Sequence, residues 1–375
     1  MTDLGPIVSL WHELEATGTG YILATVVAVE GSSYRRPGAR MLLAQDGRRA
    51  GTVSGGCLEA EVARRAWWLT SSGPAVERYS TVEEDGDRPY GSGCGGVVYL
   101  LLERAATASG HLATLESAFV ARMPIAIATV LDGPQIGQRA IADSSEAIEA
   151  VLSPDLQALA NQSLREHTSF ERKIAMGGAS ARVWVHYESA RPGLWIFSAG
   201  DDAKPLVQIA QQLGWFVAVA DGRSNLATRD RFPTVDELLA LPIADLPEAA
   251  NQYLAARPTD AAVIMTHSFE QDSRILASLL GLRSQPAYVG VLGPQRRTRD
   301  LIAEAMRLLH LPDTQDRIDR CLSQMHAPTG LDLGAETPAA IALSITAEIQ
   351  KTLKAATGQP LHQVRAIREI PAQCS

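Results

Sequence analysis

The sequence has few cysteines, no long apolar run and no excess of positive charge. Four cysteines in 375 residues are too few for a disulfide scaffold and suit a reducing compartment. A formal net charge of -8 argues against general nucleic-acid binding. The start of the chain lacks the basic and apolar segments of a signal peptide, and no run reaches the length of a membrane span. We therefore expect a cytoplasmic protein with neither membrane nor nucleic acid as a partner.

The chain is long enough for two domains, and the pattern of predicted elements changes between its halves. The first half mixes helices with strands, including a hairpin at Asp46-Gly47. Beyond Ser189–Gly193, short apolar strands alternate with helices, which indicates a parallel sheet covered on both faces. We predict an α/β protein: a mixed α+β N-terminal domain (1–190), a Rossmann-like parallel-sheet domain (191–355) and a tail (356–375).

Apolar periodicity and turn residues place the individual elements. In the first half we predict helices near residues 7–16, 58–70, 112–122 and 144–152, and strands near 21–29, 39–44, 48–53, 97–102, 125–131 and 182–187. In the second half we predict strands at 194–197, 216–220, 261–265 and 287–291, a helix at 203–213 and a last long helix at 338–353.

Two cysteines stand among glycines, in Ser54-Gly55-Gly56-Cys57-Leu58-Glu59 and in Gly93-Cys94-Gly95-Gly96. Glycines leave backbone N–H groups open to a ligand, and a helix N-terminus at Cys57 would favour its thiolate. If Cys57 and Cys94 converge, they form a two-sulfur site for a thiophilic metal; the sequence leaves their convergence open. Glu59 either binds a ligand or complements the helix dipole. No neighbouring histidine suggests structural zinc.

The segment from Gly31 to Arg40 is basic and bounded by glycine. Its three arginines, Arg35, Arg36 and Arg40, suit an anionic ligand. The alternative is a long solvated connection between two strands. We take the three arginines as candidate ligand-binding residues.

The turn Ser198–Asp202 lies between a strand and a helix, where a dinucleotide-binding fold holds the pyrophosphate. Gly200 is its candidate backbone contact, and Asp221, at the end of the next strand, is the candidate for a ribose hydroxyl. However, Ser198 replaces the first glycine, and two aspartates put negative charge in the turn. The pattern therefore supports the fold better than it supports NAD(P) binding.

Two further strand ends carry polar residues. His267 follows the strand at 261–265, at the edge where open α/β sheets bind ligands. It is either an acid–base group or a histidine that hydrogen-bonds across a loop. Asp272 either orients His267 or caps the next helix. Arg296 and Arg297 lie near a helix N-terminus, against the macrodipole, and an anionic ligand there would offset the cost. The alternative is a solvated basic face.

These segments together resemble the XdhC/CoxI family, accessory proteins of xanthine dehydrogenase and related molybdenum hydroxylases. Within the resembling stretches the second half carries Asp221-Gly222-Arg223 and Thr266-His267. Family members usually carry a histidine after the Gly-Ala-Gly turn of the second domain, where this chain has Asp201. The resemblance covers residues 31–41, 51–59, 93–96, 221–223, 231–233, 266–267, 288–293, 330–338 and 341–349.

The resemblance implies a chaperone that binds molybdenum cofactor (molybdopterin) and delivers it to a xanthine dehydrogenase-type hydroxylase. Cys57 and Cys94 would then face the molybdenum, and the three arginines of the basic segment would face the phosphate. Implied partners are the client hydroxylase, cofactor-maturation proteins and a second copy of the chain. The alternatives are an NAD(P)-dependent oxidoreductase using Asp221 and His267, or a structural partner of a dehydrogenase complex.

Overall fold

The computed structural model describes residues 3–56, 58–80, 96–143 and 153–365. The chain divides into two compact units, Met1–Arg191 and Pro192–Ser375. Within the described ranges, no helix has both the length and the apolar character to cross a membrane.

The first unit combines antiparallel sheets with helices. Its β1, β2, β3, β4 and β5 pair in the order β3-β2-β1-β5-β4, and its β6 to β9 pair in the order β7-β6-β9-β8. The elements are α1 (Leu4–Thr17), β1 (Tyr21–Gly31), β2 (Arg40–Ala44), β3 (Arg49–Gly51), α2 (Glu59–Leu69), β4 (Ala75–Ser80), β5 (Gly96–Arg104), α3 (Ala105–Ala121), β6 (Ile125–Val130), β7 (Arg139–Asp143), α4 (Pro154–Glu166), β8 (Phe170–Met176) and β9 (Ala179–Glu188).

Alternation along β2 separates two apolar cores of the first unit. Leu42 and Ala44 pack with α1 and α3, whereas Met41 and Leu43 pack with α2 on the other face. All four side chains are buried. The sheet is therefore covered on both faces, with α2 held close to the strands that lead into the basic segment.

Two buried ion pairs join the first-unit sheets to each other. Arg40 of β2 donates from Nη1 to Glu188 of β9 at 2.9 Å, and Arg139 of β7 donates from Nη1 to Glu103 of β5 at 2.9 Å. Charges this deeply buried are tolerated only when paired, because desolvation costs each ion several kcal/mol. The pairs fix which strand of one sheet faces which strand of the other.

His111 of α3 lies in the field of both ion pairs. Burial and the charges of Arg139 and Arg40 hold its pKa well below the ordinary value. Its Nδ1 has no hydrogen-bond partner in the described part of the chain. The imidazole is therefore kept neutral inside the first unit.

This burial makes stability depend on pH. Below about pH 6.5 the unfolded chain protonates His111 while the folded chain does not, so stability falls as the pH falls. Between pH 7 and pH 5.5, we expect the free energy of unfolding of His111→Leu to fall by roughly 1 kcal/mol less than that of wild type. Urea unfolding at several pH values measures both. His12→Gln, which removes an exposed histidine of α1, is the comparison for the loss of a histidine at the surface. Equal slopes for wild type and His111→Leu would refute this assignment.

The second unit is a doubly wound parallel sheet with strand order β12-β11-β10-β13-β14. Every adjacent pair runs parallel. Its elements are β10 (Gly193–Phe197), α5 (Ala203–Gln212), β11 (Phe216–Asp221), β12 (Glu237–Ala240), α6 (Ala250–Tyr253), β13 (Ala261–Ile264), α7 (Phe269–Gly281), β14 (Tyr288–Val291), α8 (Gln295–Leu308), α9 (Gln315–Ser323), α10 (Pro338–Leu353) and α11 (Leu361–Arg365), with a 3-10 turn at Ile243–Asp245.

Alternate residues of β10 belong to the two apolar cores, one on each face of this sheet. Trp195 and Phe197 pack toward α7 and α8, whereas Leu194 and Ile196 pack toward α5 and α10. The direction in which successive strands are added to the sheet reverses between β10 and β13. The carboxyl ends of these two strands therefore form the topological switch point, where such sheets bind ligands.

The predicted fold class is confirmed: an antiparallel mixed region precedes a Rossmann-type parallel sheet. The sequence reasoning missed β4, β7, α4, β8 and β12. The helix predicted at 144–152 lies outside the described residues. Part of the predicted tail forms the short helix α11, and 366–375 also lie outside the described ranges.

Candidate functional site

The basic segment forms one wall of a cavity of about 280 Å³ in the first unit. The first turn of α1, through Leu4 and Ile7, forms another wall, and Glu188 at the end of β9 also lines the cavity. The segment contributes Tyr34 through Arg40. A small ligand would therefore meet arginine side chains and an exposed aromatic ring here.

The three arginines of the segment differ in how far they are already paired. Arg35 is partly buried and pairs with Asp3, which precedes α1. Arg36 is exposed and has no ion pair in the part of the chain described. Arg40 is 6% exposed and is held by Glu188. Of the three, Arg36 is the arginine free to meet an incoming anion.

Unpaired buried nitrogens mark the same cavity as polar. The Nε atoms of Arg35 and Arg40 are buried without a hydrogen-bond partner among the described residues. Burial lowers the pKa of Arg35, and the negative charge of Glu59 partly offsets that effect. Two cationic groups with unused donors favour an anion at this wall.

A histidine and a carboxylate lie directly beneath the basic segment. Glu188 hydrogen-bonds His186 Nε2 at 3.1 Å as well as Arg40. Burial alone would raise the pKa of Glu188, but Arg40 and His186 outweigh it, and the pKa lies well below the ordinary value. A Cβ at Gly38 would come within 2.5 Å of the His186 ring, so only glycine allows this approach.

Glu59 holds the glycine turn that precedes it in the chain. Its carboxylate accepts from the backbone N–H groups of Ser54 at 2.8 Å and Val53 at 3.2 Å, and from Ser54 Oγ at 2.5 Å. Ser54 Oγ in turn accepts from the N–H groups of Gly56 and Leu58, both at 3.1 Å. Burial opposes ionisation of Glu59, but the hydrogen bonds from Ser54 and Val53 outweigh it and lower the pKa. The carboxylate is used to shape the turn.

The basic segment and the glycine turn meet at Tyr34. The ideal Cβ position of Gly55 lies 3.6 Å from Cγ of the Tyr34 ring. Gly55 and Gly56 are exposed. The structure thus brings Arg35, Arg36, Gly55, Gly56 and Glu59 into one neighbourhood of the first unit, with Arg40 paired behind them.

Both predicted metal ligands, Cys57 and Cys94, lie outside the described residues. No group of three metal-ligating side chains occurs among the residues that the structure describes. The two-sulfur site therefore stays a prediction. Cys321, by contrast, is described: it is half-buried in the second unit, and burial raises the pKa of its thiol.

In the second unit, His267 pairs across the switch point with Asp202. His267 Nε2 lies 2.8 Å from Asp202 Oδ2, and the histidine backbone has a φ of 64°, in the left-handed region. A Cβ at Gly200 would lie 2.5 Å from Asp202 Oδ1, so this carboxylate lies directly beside the turn. The negative charge of Asp202 disfavours the pyrophosphate that this turn of the fold otherwise binds.

Asp221 is also fully engaged. It is buried, accepts from the N–H of Ala199 at 2.7 Å, and pairs with Arg223 through Nε at 2.9 Å and Nη2 at 2.7 Å. Burial would raise the pKa of Asp221, but Arg223 and the backbone donors lower it. Gly200 and Asp221 thus lie at the same edge of the sheet. Asp221 already binds Ala199 and Arg223, and Asp202 lies beside Gly200.

Asp272 and Arg297 bind each other. Arg297 Nη2 donates to Asp272 Oδ2 at 2.6 Å, and Thr266 Oγ1 donates to Asp272 Oδ1 at 2.6 Å. The cap of α7 is Ser268. Asp272 therefore neither caps the helix nor contacts His267; it links the end of β13 to α8. Arg296 is exposed, with no ion pair among the described residues.

Sequence reasoning missed Tyr34 as an individual residue, together with His186, Glu188 and Arg223. Tyr34 stands between a serine and an arginine with no periodicity to mark it. The roles of His186 and Glu188 depend on Arg40, more than a hundred residues earlier. Arg223 could have been found, because a positive charge two residues after Asp221 indicates a local ion pair.

Comparisons with known proteins agree along nearly the whole chain. The profile described as XdhC Rossmann domain matches residues 194–349, and the profile of the XdhC and CoxI family matches residues 14–80. A crystal structure from Bacillus halodurans, described as a xanthine dehydrogenase, superposes with a TM-score of 0.71 at 28% identity, covering 95% of this chain and 96% of that one.

Two curated relatives carry functional names. The chain is 30% identical over 340 residues to a protein of Bacillus subtilis (strain 168) named as a probable subunit of xanthine dehydrogenase, covering 89% of this chain and 93% of that protein. It is 35% identical over 108 residues to the molybdenum cofactor insertion chaperone PaoD of Escherichia coli (strain K12), covering 26% of this chain and 31% of that protein. The resemblance found in the sequence is confirmed: this chain belongs to the XdhC and CoxI family.

Proposed function

We propose that this protein is an accessory protein that binds molybdenum cofactor and delivers it to a xanthine dehydrogenase-type hydroxylase. Its relatives are named for xanthine dehydrogenase and for insertion of this cofactor. The single observation that carries the proposal is the meeting of the basic segment with the glycine turn at Tyr34 and Gly55. Cys57 follows that turn directly in the sequence.

The residues present fit such a cargo. The cofactor has a phosphate, a flat pterin and a molybdenum held by sulfur. Arg36, which has no ion pair within the described residues, suits the phosphate, and the positive charges of Arg35 and Arg40 lie in the same cavity wall. The uncovered backbone of Gly55 and Gly56 allows close approach of a ligand toward Cys57, whose thiolate would be a soft donor to molybdenum. Cys94 would be a second such donor.

The NAD(P)-dependent oxidoreductase alternative finds less support. Asp202 places a carboxylate beside Gly200, and Arg223 forms an ion pair with Asp221. We therefore assign the ligand to the first unit. A cytoplasmic location and a homodimer stay predictions.

Ligand retention tests the proposal. Wild type and Cys57→Ala are incubated anaerobically with molybdenum cofactor or with NAD(P), desalted, and analysed for molybdenum, pterin and dinucleotide. We expect wild type to retain cofactor and Cys57→Ala to lose at least about tenfold, as is typical when a metal-site contact is removed. Transfer is then followed as activity gained by an apo-hydroxylase.

Cys321→Ala is the matched control, because this thiol is half-buried in the other unit and has a raised pKa. It should retain cofactor as wild type does. Tight NAD(P) binding with turnover that is indifferent to Cys57 would favour the oxidoreductase. Retention of neither ligand would leave the structural-partner alternative.

A further inference from the structure

We infer that Tyr34 is the stacking surface for the planar pterin ring, and that Arg36 beside it receives the anionic substituent of the same ligand. This inference rests on the proposed function and deepens it. It names the residues that hold the organic part of the cargo.

The position of the Tyr34 ring is unusual for a tyrosine. The residue is 73% exposed although it lines the cavity wall. Its hydroxyl has no hydrogen-bond partner in the described ranges. No hydrogen bond of the hydroxyl explains why the ring stands in this position. The ring exposes a large apolar surface to water, and a flat ligand would cover that surface.

Glycine supports the ring from one side. Three ring atoms, Cγ, Cδ1 and Cδ2, lie 3.6, 3.8 and 3.9 Å from the ideal Cβ position of Gly55. A Cβ at position 55 would be in ordinary van der Waals contact with the ring, so this side of the ring lies close to the glycine turn. The ring therefore rests near bare backbone, and the rest of its surface remains open to a ligand.

The segment that carries Tyr34 is held in shape by its own hydrogen bonds. Ser33 Oγ donates to the carbonyl of Arg35 at 2.9 Å, the N–H of Ala39 donates to the carbonyl of Arg36 at 3.1 Å, and the N–H of Gly38 donates to Val26 of β1 at 2.8 Å. A ring on such a segment loses little conformational freedom when a ligand stacks on it. This preorganisation favours a binding role.

Charge identifies the ligand class. Arg35 is committed to Asp3, whereas the neighbouring Arg36 is exposed and has no ion pair within the described residues. An aromatic surface beside a free guanidinium is complementary to a flat heteroaromatic ring that bears a negative group. A pterin with an anionic substituent has both features.

The test uses pterin-6-carboxylate as the probe, because it is stable, fluorescent, flat and anionic, and unsubstituted pterin as the neutral comparison. Binding to the full chain is measured from the fluorescence polarisation of the probe. We expect Tyr34→Leu to weaken binding of both probes by about five- to tenfold, whereas Tyr34→Phe keeps the affinity because its ring can still stack. Arg36→Gln should weaken the anionic probe and leave the neutral one unchanged.

Trp68→Leu is the matched control, because Trp68 is 72% exposed on α2 of the same unit. It should bind both probes as wild type does. Unchanged affinity in Tyr34→Leu, or equal losses in Tyr34→Leu and Tyr34→Phe, would overturn the inference. So would a Tyr34→Leu variant that binds the probes normally and fails only in transfer to the hydroxylase, since Tyr34 would then contact the client protein.

The two proposals fail in different ways. Cofactor retention that depends on Cys57 but not on Tyr34 removes this inference and leaves the proposed function intact. Absence of cofactor retention by wild type removes both.

Discussion

Glu188→Ala is expected to destabilise the first unit by about 3–5 kcal/mol, a large fraction of the stability of an ordinary domain. The substitution leaves the Arg40 guanidinium, 6% exposed, without its carboxylate and deprives His186 of its acceptor. An unpaired buried charge is far more costly than the pair is stabilising. Urea unfolding of the full chain at pH 7 measures the loss.

Glu171→Ala provides the control. Glu171 of β8 pairs with Arg182 at 2.8 Å, and both side chains are at least one-third exposed. Such a pair contributes under about 1 kcal/mol. The double variant Arg40→Met with Glu188→Leu should recover much of the loss, because it removes both charges together. Similar midpoints for Glu188→Ala and Glu171→Ala would show that the buried pair is dispensable.

Glu59→Ala is expected to open the glycine turn while the rest of the unit stays folded. It removes the acceptor of Val53 N–H, Ser54 N–H and Ser54 Oγ, and the two residues that donate are themselves buried. Hydrogen bonds to a charged group contribute about 1.5–3 kcal/mol each, and these share one carboxylate, so we expect a local loss of about 3 kcal/mol. Hydrogen exchange at the amides of Ser54 and Gly56 should accelerate by about a hundredfold.

Glu61→Ala separates this effect from a general loss of charge on α2. Glu61 stands in the same helical turn and pairs with Arg64, whose side chain is 74% exposed. Exchange at the turn should not change in this variant. If the proposed function holds, Glu59→Ala should also lose cofactor although Cys57 is intact. Normal exchange at Ser54 and Gly56 in Glu59→Ala would contradict the assigned role.

The fold was predictable where local pattern and tertiary environment agree. The strands of the parallel sheet are buried on both faces, so their sequences are short continuous apolar runs that are typical of such sheets. The missed strands lie in more mixed surroundings: β8 has exposed and half-buried positions throughout, and β12 is a sheet edge. Their pairing partners determine them more than their composition does.

The site was predictable only as a set of candidate residues. The charge of the basic segment is visible in the sequence, but which arginine stays free is not, because Arg40 is paired with Glu188 from the far end of the first unit. In the same way, the partner of His267 is Asp202, from another strand end. The topology of the fold determines such pairs between residues far apart in the chain, and the spacing of residues in the sequence does not predict them.

The position of Asp202 has a consequence for how the second unit works. In a dinucleotide enzyme the anion over the first turn arrives and departs with each turnover. Here an acidic side chain of the protein lies beside that turn and pairs with His267 from across the crevice. An incoming anion would therefore meet negative charge at this edge, in a sheet whose architecture otherwise favours one.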